Sequence, residues 1–155
     1  LAMFDRPPLV ADIDEGKLEA ALKAGAAKAY NTKDPAAVKQ LLADTGGGVP
    51  AAIDFVGAEG SLNFANGSVR KGGTVKIVGL FGGSFTSPIP LFPFRAVTIS
   101  GSMTGSLPDT IEMLELLQKG SVKPIPIEIR DMDQASKTLT DLREGNIIGR
   151  VVLKN

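Results

Sequence analysis

Short apolar runs alternate with helix-spaced patterns from Leu9 to Leu80, and again from Ala96 to the end of the chain. That order restricts the chain to an α/β fold with a parallel sheet and helices on both faces, because each helix must carry the chain back before the next strand begins. Leu9–Ile13, Lys28–Asn31, Ala51–Val56 and Thr74–Leu80 read as strands. The last is β-branched and largely apolar, as a strand covered on both faces should be. The first helix is expected over Glu15–Ala24, with Leu18, Ala21 and Leu22 on one side and Gly25 ending it. A second is expected with Asp34 as cap and Pro35 in its first position, Val38, Leu41 and Leu42 facing inward and Gly46–Gly48 stopping it. A third runs over Ser61–Val69, closed by Gly72–Gly73.

The rhythm breaks at FGGSFTSPIPLFPF, Phe81–Phe94. Proline donates no ladder hydrogen bond, so this stretch is no central strand. Its apolar, exposed-edge character suits either a subunit contact or a loop packed on its own domain. Ala96–Gly101 resumes as a strand, and Ser106–Asp109 starts a helix carrying Ile111, Leu114 and Leu117, with Gly120 closing it. Strand Ile125–Ile129, helix Asp133–Arg143 and strand Arg150–Leu153 complete the pattern.

Composition removes several kinds of chemistry. The chain has 155 residues, 17 basic and 17 acidic side chains, and no net charge, so it offers nucleic acid or an anionic membrane no long-range field. No apolar run approaches bilayer length and no signal peptide is visible. His and Cys are both absent, which excludes Ser–His and Cys–His nucleophiles within the chain and leaves no ordinary zinc or copper ligand set. The chain therefore carries no expected catalytic or metal-ligating residue. It opens at Leu1 in apolar sequence and reads as a piece of something longer.

In an open parallel sheet the ligand crevice lies at the carboxyl ends of the strands. Asp12 ends the first strand, where a carboxylate accepts bonds from two vicinal ribose hydroxyls and repels a ribose phosphate. Alternatively Asp12 or Asp14 caps the next helix; both hold if Asp14 caps and Asp12 takes the ribose. Lys17, one turn on, reaches the same ribose or is a solvated surface charge. No glycine triplet fits G-x-G-x-x-G; Gly101-Ser-Met-Thr-Gly105 has the wrong spacing, though its small residues let a flat ring approach the backbone. Arg150 is placed to clamp a phosphate bidentately, or forms an ordinary surface ion pair.

Taken in order, ADIDEGKLEAALKAGA, TGGGVPAAIDFVG, VRKGGTVKIVGLFGG, ISGSMTG and LREGNIIGRVVL resemble the medium-chain dehydrogenase/reductase superfamily, in particular the zinc-type alcohol dehydrogenases. The resemblance implies a Rossmann-like, doubly wound sheet, truncated at its N-terminus, with the first strand and glycine-rich turn absent. It implies a partial NAD-binding domain over residues 1–121 and a segment over 122–155 that returns to a catalytic domain. Leu1–Phe4 then matches the tail of the helix after the missing turn.

The resemblance places the ribose at Asp12 and Lys17, and the cleft at Phe55, Val56, Gly57, Val78, Gly79 and Leu80. It places the nicotinamide carboxamide near Val78, Ser102 and Thr104, and the pyrophosphate at Arg150. An aspartate at position 12 implies NAD rather than NADP. In the parent protein it implies hydride transfer between an alcohol or aldehyde and nicotinamide, with zinc held by residues outside this chain. It further implies a cytoplasmic protein and a homo-oligomer joined through the Ser87–Leu91 edge. Two alternatives stay open: a zinc-free, quinone reductase-like member using NADPH, and an S-adenosylmethionine-binding methyltransferase domain.

The first strand of such a sheet lies between the second and the fourth. Its absence is expected to leave two inner edges, which another segment fills, or over which the sheet closes, or which an upstream piece of the molecule occupies.

Overall fold

The computed structural model describes residues 7–122 and 124–155. They form two compact units, divided between Leu107 and Pro108. The expected helix tail at Leu1–Phe4 lies outside the described residues.

The first unit runs β1 (Leu9–Asp12), α1 (Glu15–Lys23), β2 (Lys28–Asn31), α2 (Ala37–Asp44), β3 (Val49–Asp54), α3 (Glu59–Ser68), β4 (Val69–Ile77), α4 (Leu91–Arg95) and β5 (Thr98–Gly101). All pairings are parallel, but they form two ladders: β1 with β2, and β3 with β4 with β5. Among the described residues no ladder joins β1 to β3. The sheet has therefore not closed over the expected gap.

Two apolar clusters hold these layers. Leu62 and Ala65 of α3 pack with Val69 and the fully buried Val75 of β4, and Ala52, Ile77, Phe85 and Ile99 border them. Tyr30, Ala37 and Leu41 form the second cluster, against which Leu9, Val49 and Phe64 pack. Leu9 on β1 and Val49 on β3 thus rest against the same apolar wall.

Asp44, at the end of α2, accepts bonds from Lys28 Nζ (2.5 Å) and Tyr30 Oη (2.9 Å), which lie two residues apart on one face of β2. These bonds, that from Lys28 first, hold the Asp44 carboxyl below its usual range, against the opposing pull of desolvation. Burial, and then Asp44, pushes the Tyr30 phenol up to about 12. A depressed carboxyl pKa stabilises the fold above its unfolded value and is lost as pH falls through the folded one. Urea midpoints are accordingly expected to fall as pH drops through and below the ordinary value of 3.8, and Asp44→Asn to flatten that slope.

Several boundaries differ from the sequence expectation: β3 spans Val49–Asp54 rather than Ala51–Val56, β5 starts at Thr98 rather than Ala96, β6 spans Ile127–Asp131 rather than Ile125–Ile129, and three further differences have a visible local cause. Pro35 does not open α2: the Asp34 carboxylate accepts from Ala36 N (2.8 Å) and its carbonyl from Ala37 N (3.0 Å), so a turn precedes a helix that starts at Ala37. Gly72–Gly73 do not stop α3. The helix ends at Ser68, Val69 enters the sheet directly, and the two glycines lie inside β4. There β3 pairs with Val69 and then with Thr74, and the intervening residues form a tight excursion. A Cβ on Gly73 would meet Arg70 O at 2.8 Å and Val69 Cβ at 2.9 Å, so the fold-back takes only glycine. Finally, β4 ends at Ile77, which leaves Val78–Leu80 as its outgoing loop.

The proline-rich stretch is coil with a turn at Ile89–Pro90, followed by α4. It is anchored at both ends. Phe85 packs on the first cluster, and Arg95 Nη2 donates to Asn66 O (2.6 Å) and Val69 O (2.9 Å). Arg95 thereby caps the carboxyl end of α3 with a side chain of the sign that end prefers. Arg95→Ala is expected to cost about 2 kcal/mol in urea unfolding, and Arg95→Lys to recover part of it, because a lysine cannot serve two carbonyls and Asn66 Oδ1 from one planar group.

The second unit holds α5 (Leu107–Gln118), whose first residue belongs to the first unit, then β6 (Ile127–Asp131), a 3-10 turn (Met132–Gln134), α6 (Ala135–Arg143) and β7 (Arg150–Lys154). β6 and β7 pair in parallel from Ile127↔Arg150 to Asp131↔Lys154. Arg130 ties α6 to β6 through Asp141 Oδ2 (2.7 Å) and Thr138 Oγ1 (3.2 Å), and also bonds Glu128 (2.7 Å).

Candidate functional site

The carboxyl ends of β3, β4 and β5 are built around one buried acid. Asp54, the last residue of β3, is 4% exposed. Its Oδ1 accepts from Val56 N (2.9 Å) and Gly57 N (3.0 Å), and its Oδ2 from Ser61 Oγ (3.0 Å). Its carbonyl accepts from Val78 N (2.8 Å) and Gly79 N (3.0 Å). One residue therefore fixes the loop leaving β3, the loop leaving β4 and the start of α3. Ser61 reaches back to accept from Ala58 N (3.1 Å), satisfying a donor that the N-terminus of α3 would otherwise leave open.

Beyond Asp54 the two loops run side by side. Phe81 N donates to Val56 O and Gly82 N to Gly57 O, both at 3.0 Å, and Ala58 bridges Gly82 in parallel. The ladder between β3 and β4 thus continues past the sheet. It can do so only because two glycines face one another. A Cβ on Gly57 would lie 2.0 Å from Gly79 O, and one on Gly79 would lie 2.0 Å from Val56 C. Gly57 also adopts φ +70°, which L side chains avoid.

On the other side of β4, Ser102 N donates to Ile77 O (2.8 Å), which carries the β5 end along the β4 end. Between them lies a cleft of about 420 Å³ lined by Ile77, Val78, Gly79, Leu80, Gly101, Ser102 and Met103. Four of the residues read from sequence as cofactor contacts, Val78, Gly79, Leu80 and Ser102, share this cleft. Thr104 follows in a left-handed conformation (φ 48°). Phe55, Val56 and Gly57 lie across the Gly57–Gly79 contact, with Phe55 73% exposed.

Asp12 ends β1, and of the readings of the acidic pair the helix cap at Asp14 is the one that forms. Asp14 caps α1 by accepting from Lys17 N (2.9 Å). Asp12 Oδ1 accepts from Asp14 N (3.0 Å), which orients the carboxylate and leaves Oδ2 with no partner among the described residues. The Lys17 ammonium likewise has no partner among the described residues, and Lys17 lies in the first turn of α1, which follows β1. Arg150 belongs to the second unit, where it opens β7 in register with Ile127.

Sequence reading passed over Asp54. The signal was an acid closing an apolar run with a Gly three residues later, the spacing that lets one carboxylate collect two successive N–H groups. No group of three or more acidic, His or Cys side chains suited to a metal ion occurs among the described residues. No helix among them is long and apolar enough to cross a membrane.

Comparison with known proteins agrees with this geometry. The family described as zinc-binding dehydrogenase matches residues 7–119. An alcohol dehydrogenase of Geobacillus stearothermophilus is 34% identical over 145 residues, covering 92% of this chain and 42% of that protein. An NAD-dependent alcohol dehydrogenase of Sulfolobus acidocaldarius is 32% identical over 144 residues, covering 92% and 41%. The crystal structure of an alcohol dehydrogenase from Aeropyrum pernix superposes with a TM-score of 0.86 at 29% identity, covering 95% of this chain and 42% of that one. The chain therefore spans about 42% of the length of the relatives it matches.

Proposed function

The chain belongs to the zinc-binding dehydrogenase family, and on that footing we propose that it forms the dinucleotide-holding part of an NAD-linked oxidoreductase acting on an alcohol or aldehyde. The observation that carries this reading is the pairing of an oriented carboxylate at the end of β1, Asp12, with a flat glycine contact and cleft at the ends of β3, β4 and β5. The names of the relatives support the choice of reaction.

The residues present fit a nicotinamide dinucleotide. Asp12 Oδ2 is placed to accept a ribose hydroxyl, and Lys17 to stand beside the same sugar. The Gly57–Gly79 contact keeps side chains away from the cleft floor, so a ligand meets backbone there. Val78, Ser102 and Thr104 offer backbone groups to a carboxamide, and the exposed side chains of Leu80 and Met103 give the cleft an apolar rim against which a flat ring can rest. When bound, the nicotinamide supplies a hydride acceptor or donor. The residues of this chain do not fit zinc: it has no His and no Cys.

We also assign self-association to Ser87–Leu91, where Ile89 is 82% exposed on a stretch held rigidly at Phe85 and Arg95.

Calorimetric titration of the 155-residue chain with NADH, NADPH and S-adenosylmethionine tests the cofactor assignment. NADH is expected to bind most tightly. Asp12→Asn is expected to cut the NADH preference by about tenfold or more, since a bond to a charged acceptor contributes about 1.5–3 kcal/mol. An unchanged preference between the two dinucleotides in that variant, or tighter binding of S-adenosylmethionine, overturns it.

A further inference from the structure

Gly67 stands next to last in α3, although glycine weakens a helix. The neighbouring helix α2 explains it. A Cβ on Gly67 would meet Val38 Cγ1 at 3.2 Å, so the two helices come this close only over a hydrogen atom. The residue before it is Asn66. Helix packing thus places an Asn-Gly step in the last turn of α3, and that step carries a chemistry of its own. Gly67 N attacks Asn66 Cγ: the N–Cγ bond forms, the Cγ–Nδ2 bond breaks, and ammonia leaves with the amide proton. Water then adds across one of the two imide C–N bonds of the resulting ring. Opening at Cγ gives aspartate, and opening at the main-chain carbonyl gives isoaspartate. Glycine has no side chain to obstruct the attack.

Two features of the fold decide when this happens. In the helix, Gly67 N–H points along the axis to the carbonyl four residues back, and the helical ψ of Asn66 holds that nitrogen away from Cγ. The ring therefore closes only when the last turn opens. One side chain holds that turn shut. Arg95 Nη2 donates to Asn66 O (2.6 Å) and to Val69 O (2.9 Å), and Arg95 Nη1 donates to Asn66 Oδ1 (3.3 Å). Two of these bonds end on the reacting residue itself. Arg95 comes from α4, beyond the proline-rich stretch and 29 residues along the chain.

We propose that Asn66–Gly67 is a spontaneous deamidation site gated by Arg95, so that its conversion records how often the carboxyl end of α3 comes away from α4. The two products act differently. Aspartate keeps the chain length and gives Arg95 a charged acceptor in place of an amide oxygen. Isoaspartate routes the main chain through Cβ and adds one backbone atom just before a helix-to-strand junction that has no spacer, which shifts Val69 against its partner Val49. The site takes no part in the cleft and is independent of which cofactor binds there.

The test incubates the full chain at mildly alkaline pH in water enriched in heavy oxygen and reads each asparagine by peptide mass spectrometry. Asn66 is expected to lose its amide nitrogen and gain one heavy oxygen, more slowly in the native chain than in urea. Asn63, in the same helix but followed by Phe64, is expected to stay unmodified over the same period. Arg95→Ala is expected to raise the native rate by about tenfold or more, with Arg95→Lys in between, because the rate follows the open fraction of the turn. Leu18→Val, which trims a buried side chain of α1, is expected to leave the rate within about twofold. An unmodified Asn66, a native rate equal to that in urea, or equal rates in wild type and Arg95→Lys overturns the inference. Equal acceleration by Arg95→Lys and Leu18→Val also overturns it, since the reaction would then follow global unfolding alone.

Discussion

Gly57→Ala is expected to lower stability by about 3 kcal/mol or more in urea unfolding and to abolish dinucleotide binding. The added methyl lands 2.0 Å from Gly79 O and 2.3 Å from Gly79 C, and both obstacles are backbone. Relief requires the two outgoing loops to separate by more than an ångström. That movement breaks the bonds from Phe81 N to Val56 O and from Gly82 N to Gly57 O, each about 1 kcal/mol net. The left-handed conformation at φ +70° adds roughly 1–2 kcal/mol for any residue with a Cβ. Gly60→Ala is the matched control. Gly60 lies in α3 with open space around its Cβ position, so alanine there is expected to leave stability unchanged or to raise it by about 0.5–1 kcal/mol. Equal midpoints for the two variants would show that the loop contact is not rigid.

Asp54→Ala is expected to be comparably damaging, at about 3–5 kcal/mol, because it strands Val56 N, Gly57 N and Ser61 Oγ together. Asp54→Asn separates the contributions. It keeps one acceptor oxygen for the two N–H groups and loses the second, so it is expected to fall between wild type and alanine. Exchange of the Val56 and Gly57 amides checks the cause. Both should accelerate in Asp54→Ala, while amides of β2 should change only as far as global stability changes. Wild-type exchange at Val56 and Gly57 in Asp54→Ala would remove this acid from its positioning role.

The parts of the molecule legible in the sequence were those with local causes. Asp14 followed by Lys17 announces a cap, and the cap forms. Gly46–Gly48 announces a helix stop, and all three residues adopt positive φ. The strand β4 was legible from its β-branched apolar run, because burial on both faces selects such residues. What escaped depends on partners distant in sequence. Gly72–Gly73 reads as a helix stop only if the fold-back onto β3 is unknown. The face-to-face glycines, 57 and 79, are ordinary loop residues until two strand ends are brought together. Asp54 gains its role from Ser61 and Gly79, one turn of helix and one strand away. Recognition by family resemblance covered the cleft residues without revealing the acid that positions them.

The direct passage from α3 into β4 has a consequence for how genes of this kind can drift in length. Ser68 is helical and Val69 is already paired, with no spacer between them. One inserted codon at that junction would invert which side chains of Val69 and its neighbours face the core, since strand orientation repeats every two residues. The excursion at 70–73 tells the opposite story: its exposed Arg70, Lys71 and Gly72 lie outside the register, so added or lost codons there leave Thr74–Ile77 in place. Length variants are thus expected to gather a few residues downstream of the helix and to spare the boundary itself.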